Sequence, residues 1–142
     1  MSNTYSQLYI QIVFAVQERK HFVKEDFRVE VQKYISGIVT GKDQKLYALY
    51  CMPDHTHYFI SIKPHIAISD LVRDVKSCSS TFIKEKGWVR NFEWQDGFGA
   101  FSYSKFQVLK VVDYILNQQE HHRNKTFKEE YLWQSLKNIP YY

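Results

Sequence analysis

Residues 51–62 read Cys51-Met-Pro-Asp-His-Thr-His-Tyr-Phe-Ile-Ser-Ile62. Proline cannot donate to a sheet ladder, so Met52-Pro53-Asp54 reads as a turn. The residues after it, 55 to 62, have strand character. The residues before it, 45 to 52, are also a strand, with Leu46, Tyr47, Ala48, Leu49 and Tyr50. So short a connection makes the two an antiparallel hairpin. Strand side chains alternate between faces, so His55 and His57 point the same way, roughly 7 Å apart. Two imidazoles at that spacing can converge on one metal ion, but they leave its coordination shell incomplete.

Outward from the hairpin, the chain alternates regularly. Residues 5 to 16 are a strand with Leu8, Ile10, Ile12 and Phe14 on one face. Its other face carries Tyr9, Gln11 and Val13, the pattern of a central strand covered on both sides. Residues 25 to 39 form a helix with Phe27, Val31, Tyr34, Ile35 and Ile38 at helical spacing and Gly41 as its stop signal. After the hairpin, residues 69 to 86 form a second helix, with Ser69 as N-cap and Gly87 as its stop. Its stripe is Leu71, Val75, Cys78 and Phe82. Residues 91 to 103 are a fourth strand with a bend at Gly97 and Gly99. A third helix opens on the capping box Ser104-Lys-Phe-Gln107 and continues to about His122. Tyr131, Leu132, Trp133 and Leu136 suit a short final helix. Strand, helix, strand, strand, helix, strand is the split βαβ, ferredoxin-like order. The expected fold is α+β, an antiparallel sheet with helices packed on it and an added C-terminal helix.

The bulk properties agree with one domain over residues 1 to 142. This length buries a core without disulfides or structural metals. A net charge of +4 favours anionic partners, nucleic acid first among them. Cys51 and Cys78 lack paired metal-ligand spacing and read as small core residues in a reducing compartment. Cys51 with His55 and His57 is a conceivable zinc triad, disfavoured because Cys51 sits in an apolar run. No signal peptide opens the chain, and no apolar run approaches the roughly 20 residues that span a bilayer. A cytoplasmic protein without membrane contact is the expectation.

The third helix offers partners for the histidines. Val108, Val112 and Ile115 define its apolar stripe, and Tyr114 and Gln118 lie one turn apart on the stripe's shoulder. Packed across the sheet, this helix could bring the Gln118 amide oxygen to a metal on His55 and His57, with the Tyr114 phenol beside it.

Three separated blocks carry a resemblance: Met52-Pro-Asp-His-Thr-His57, Trp94-Gln-Asp-Gly-Phe-Gly-Ala-Phe101 and Tyr114-Ile-Leu-Asn-Gln-Gln-Glu-His-His122. Together they resemble the single-tyrosine HUH transposases of bacterial insertion sequences, the IS200-like family and its REP-associated tyrosine transposases. Thr56 departs from that pattern, which has an aliphatic residue between the histidines; threonine is close to valine in shape and faces away from the pair.

The resemblance implies a metal-dependent enzyme that cleaves and rejoins single-stranded DNA at hairpin-marked ends. It makes Tyr114 the nucleophile that takes the DNA 5′ end, and His55, His57 and Gln118 the ligands of a divalent ion. Two imidazoles suit Mn²⁺ and the cell offers Mg²⁺, so Mg²⁺ with Mn²⁺ as a substitute is expected. It also implies a homodimer in which the tyrosine helix is shared between subunits. Basic residues at Arg19 and Lys20, Arg73 and Lys76, and Lys84 are candidate phosphate contacts, Arg73 and Lys76 first because they share a helix face. Two rival readings stand beside this one. One is a non-catalytic, ferredoxin-like nucleic-acid-binding protein derived from a transposase. The other is a metal-dependent phosphodiester hydrolase in which water attacks and Tyr114 only packs.

Overall fold

The computed structural model of the chain describes residues 4–19 and 23–117, with Arg19 described in its backbone only. Its elements follow in the order β1 (Tyr9–Ala15), α1 (Glu25–Gly41), β2 (Lys45–Met52), β3 (His55–Ser61), α2 (Ile68–Glu85), β4 (Gly99–Tyr103) and α3 (Val108–Leu116). Short 3-10 turns at Gln17–Arg19 and Lys105–Gln107 precede α1 and α3. The sheet runs β2-β3-β1-β4, and every adjacent pair is antiparallel. This is the split βαβ arrangement expected from the sequence. No helix among the described residues is long and apolar enough to cross a membrane.

Strand alternation divides the core in two. Ile10, Ile12 and Phe14 of β1 and Tyr58 and Ile60 of β3 pack with Phe27, Val31, Ile35 and Val39 of α1 and Leu71, Val75 and Ile83 of α2. On the opposite face, Ala48 of β2 and Phe59 of β3 meet Val111 and Ile115 of α3. The larger core is thus built under α1 and α2. The smaller one anchors the third helix on the histidine face.

Several boundaries differ from the sequence reading, each for a local reason. The α1 helix runs through Gly41, and the left-handed residue that ends it is Asp43, at φ 63°. Asp and Asn tolerate that region better than other side chains. Ser69 lies inside α2, whose N-cap is Ala67 with no side-chain cap bond. Cys78 is exposed rather than in the stripe. The buried position is Ser79, whose hydroxyl donates to Val75 O (2.5 Å) and accepts from Trp94 Nε1 (2.9 Å). A serine that bonds back to its own helix leaves no unpaired polar group, so the core accepts it. On α3 the buried pair is Val111 and Ile115, with Val108 and Val112 half-buried. The expected capping box at Ser104 and Gln107 is present, Ser104 N–H donating to Gln107 Oε1 at 2.9 Å. The fourth strand is shorter than expected, because the bend at Gly97 (φ 86°) separates it from an isolated bridge between Val16 and Trp94. The expected tail helix, with Tyr131, Leu132, Trp133 and Leu136, lies outside the described residues.

Candidate functional site

The tip of the β2–β3 hairpin is fixed from outside. Val16 N–H donates to Asp54 O (2.8 Å) and Val23 N–H to Pro53 O (2.9 Å), so the stretch following β1 holds the turn by its carbonyls. The first strand residue after the turn is His55. His55 and His57 are 0 % and 2 % exposed, and their ring centroids stand 5.0 Å apart. They occupy the sheet face covered by α3, as their spacing predicts.

The other sides of both rings are engaged. His55 Nδ1–H donates to Asp54 Oδ1 at 2.7 Å, and His57 Nδ1–H donates to Gln11 Oε1 at 2.8 Å. Gln11 is fully buried on β1, and its Nε2 donates to Tyr103 OH on β4 at 3.0 Å. With Nδ1 protonated on both rings, Nε2 carries the lone pair. Metal-binding histidines typically show this pattern, the distal nitrogen held by a carboxylate or amide oxygen. The donor set fits a divalent ion accepting two imidazoles, with further positions to be filled by other groups. Among the described residues no group of three His, Cys, Asp or Glu could hold a metal ion. Gln118, the expected third ligand, lies outside the described residues.

Cys51 is no part of this centre. It pairs in register with Thr56 and so points to the opposite face, where its thiol lies 3.2 Å from Thr56 Oγ1. Burial pushes the Cys51 thiol up to about 12. A zinc triad of Cys51, His55 and His57 is excluded by strand alternation alone.

Tyr114 stands beside the pair. The α3 helix packs on β2 and β3 of its own chain. Its Tyr114 ring meets His57 edge to face, with centroids 6.2 Å apart and planes at 78°. Tyr114 is half-buried, between the apolar contact of α3 and its outer side. Histidine pair and tyrosine, drawn from residues more than fifty positions apart, therefore share one corner of the sheet.

The basic candidates on α2 are elsewhere. The α2 helix covers the face opposite the histidines. Arg73 is exposed and paired with Asp70 (3.1 Å) and Asp74 (3.3 Å). Lys76 donates to two backbone carbonyls, Gln95 O (2.7 Å) and Gly97 O (2.6 Å), with its ammonium 5.3 Å from the Phe14 ring centre. Partial burial lowers its pKa below the ordinary lysine value. Lys84 is exposed in the last turn of α2; Lys20 lies outside the described residues.

The sequence did not point to Gln11 or Asp54 as supports of the histidines, and it offered Tyr103 only as an aromatic for stacking on unpaired bases, whereas its hydroxyl meets Gln11. For Gln11 a signal exists: it is a lone amide between apolar neighbours in a strand buried on both faces.

Residues 4–118 match the family model described as "Transposase IS200 like". The transposase for insertion sequence element IS200 of Salmonella typhimurium is 28% identical over 115 residues, covering 77% of this chain and 75% of that protein. The Salmonella typhi transposase for the same element is equally similar. A candidate transposase from Deinococcus radiodurans, known from its crystal structure, superposes with a TM-score of 0.65 at 21% identity over 83% of this chain and 95% of that one. A REP-associated tyrosine transposase bound to a REP hairpin superposes with a TM-score of 0.61 at 15% identity, over 86% and 73% respectively.

Proposed function

The chain belongs to the IS200-like transposase family, and from that premise we propose that it cleaves and rejoins single-stranded DNA through a 5′-phosphotyrosine on Tyr114. The observation that carries this reading is the Tyr114 ring lying 6.2 Å from that of His57, itself 5.0 Å from His55. A packing tyrosine needs no histidine pair beside it, and a hydrolytic centre needs no tyrosine there.

The chemistry follows from the residue types. The Tyr114 phenolate oxygen attacks the scissile phosphorus and forms a P–O bond. The 3′ oxygen on the other side leaves and takes up a proton. A phenol serves because its unperturbed pKa near 10 makes it a better nucleophile than an aliphatic hydroxyl. The phosphotyrosine keeps the ester bond, so attack by a free 3′ hydroxyl rejoins the strand without a nucleotide cofactor. His55, His57 and Gln118 would hold a divalent ion, Mg²⁺ with Mn²⁺ as substitute. That ion, when bound, supplies Lewis-acid polarisation and orientation of the phosphate.

The proposed partner is single-stranded DNA with hairpin-forming ends, in line with the REP hairpin held by the similar transposase. Arg19, Lys20, Arg73, Lys76 and Lys84 are proposed phosphate contacts. Those on α2 would meet a stem that reaches round to the far face, and Lys76 would have to release its two carbonyls first. A homodimer is also proposed, supported by the outward side of α3 and the turn before it, where Phe106 is 94%, Leu109 79% and Leu116 52% exposed.

The deciding experiment uses labelled single-stranded DNA from beside the gene, with Mg²⁺, Mn²⁺ or a chelator, resolved on a denaturing gel. A covalent protein–DNA adduct that needs metal and disappears in Tyr114→Phe is expected. Cleavage without adduct, unaffected by that change, would make the protein a hydrolase. Binding without cleavage would make it a nucleic-acid-binding module. Whether the tyrosine helix is shared is read by mixing His57→Ala with Tyr114→Phe: sharing between subunits restores the adduct.

A further inference from the structure

Three side chains from three different strands form a continuous line under the candidate metal site. Gln11 of β1 is paired with Phe59 of β3 and Phe101 of β4. His57 and Tyr103 are therefore its diagonal neighbours on either side, a separation that long side chains span. The line runs from Tyr103 OH to Gln11 Nε2 at 3.0 Å, and from Gln11 Oε1 to His57 Nδ1 at 2.8 Å.

We propose that Gln11 is a positioning residue for His57, fixing the imidazole as its Nδ1–H tautomer so that Nε2 faces the metal. The proposal rests on the metal-dependent reading above. Its physical basis is the asymmetry of the amide. One end donates and the other accepts, and as the amide is placed its nitrogen donates to the Tyr103 hydroxyl while its oxygen faces His57 Nδ1. The end left for His57 can only accept, so it selects a ring with hydrogen on Nδ1. The opposite tautomer would set two lone pairs against each other at 2.8 Å and turn an N–H toward the metal. Gln11 is fully buried, so water does not take its place when it is removed. A buried amide in the middle of a central strand is costly to the fold unless both its ends are bonded. Both of its ends are bonded here. His55 is held the same way by Asp54, but from the hairpin turn. The Gln11 bond crosses strands, so it also locks the ring to the sheet.

The test measures the tautomer and the metal separately. In the wild-type protein without metal, at mildly alkaline pH, long-range proton–nitrogen NMR correlations of His57 should report hydrogen on Nδ1. An Nε2–H ring there overturns the proposal without any substitution being made. Mn²⁺ binding is then followed by calorimetry in wild type, His57→Ala, Gln11→Leu and Gln11→Glu. Gln11→Leu should lose about 10- to 100-fold in affinity, the scale of removing such a supporting bond. Gln11→Glu keeps an acceptor for Nδ1–H and should bind close to wild type, a rescue that a merely space-filling role would not give. Circular dichroism controls for folding, and the wild-type tautomer stands if Gln11→Leu fails to fold. Equal Mn²⁺ binding by wild type and His57→Ala overturns the metal-centre reading itself. Loss in His57→Ala with undiminished binding in Gln11→Leu overturns only the positioning role.

Discussion

Two tyrosines of the same chain show how environment assigns a side chain its work. Tyr58 is fully buried under α1 and α2, its ring edge-on to Phe14 at 5.8 Å, and its hydroxyl has no hydrogen-bond partner among the described residues. Burial pushes its phenol far above the ordinary value. Such a hydroxyl is a cost without return, so Tyr58→Phe should raise the urea midpoint by about 1 kcal/mol equivalent. Tyr114 is half-buried beside His57, and its hydroxyl is the proposed nucleophile. Tyr114→Phe should abolish the DNA adduct yet change stability by no more than about 0.5 kcal/mol. Unfolding curves and adduct gels on both variants check the contrast. The cysteines divide in the same way. Cys51 is enclosed with its thiol held to about 12, whereas Cys78 is exposed. A thiol reagent at neutral pH should modify Cys78 alone in the native protein and reach Cys51 only on unfolding.

At the scale of elements, one side chain of α2 ties down the bend that precedes β4. Lys76 binds the carbonyls of Gln95 and Gly97, on the approach to a strand that borders the histidine face through Val13 and Gly99. Lys76→Met should lower the thermal midpoint and speed amide exchange over residues 95 to 99. If Lys76 were mainly a phosphate contact, the same change would instead flatten the salt dependence of DNA binding and leave the midpoint alone. Two exposed ion pairs tie other elements. Lys42 at the end of α1 reaches Asp74 of α2 at 2.6 Å, and Lys63 after β3 reaches Asp43 before β2. The hydrogen bond from each lysine holds its carboxyl below 3.8. A depressed carboxylate stabilises the fold fully above its unfolded value and loses that contribution as pH falls through the folded one. The stability difference between wild type and Asp74→Asn should therefore be present at neutral pH. It should fade below about pH 4, and added salt should shrink it throughout.

At the scale of the whole molecule, the sheet separates stability from chemistry. One face carries the large core under two long helices; the other carries the histidines, Gln11 and a short helix. Substitutions on the outer side of α3 should therefore spare the fold. Leu109 is 79% exposed, and Leu109→Lys should leave the unfolding midpoint unchanged while shifting the proposed dimer toward monomer in light scattering. An unchanged mass would remove the support for a dimer through that surface.

Much of this was legible in one dimension. Proline at 53 placed the turn, and period-two alternation put His55 and His57 on one face and Thr56 on the other. Three blocks of residues pointed to the family. These features are local, set by backbone geometry within a few residues. What the sequence could not supply was register between strands and the depth of each helix position. Cys78 and Ser79 are adjacent, and only packing against Trp94 decided that the serine goes inward. Tyr114 reached His57 only because α3 settled on its own sheet. Gln11 lies 46 positions from the ring it holds. Its role depends on the diagonal that β4, β1 and β3 draw together, a relation that exists only once the sheet has formed.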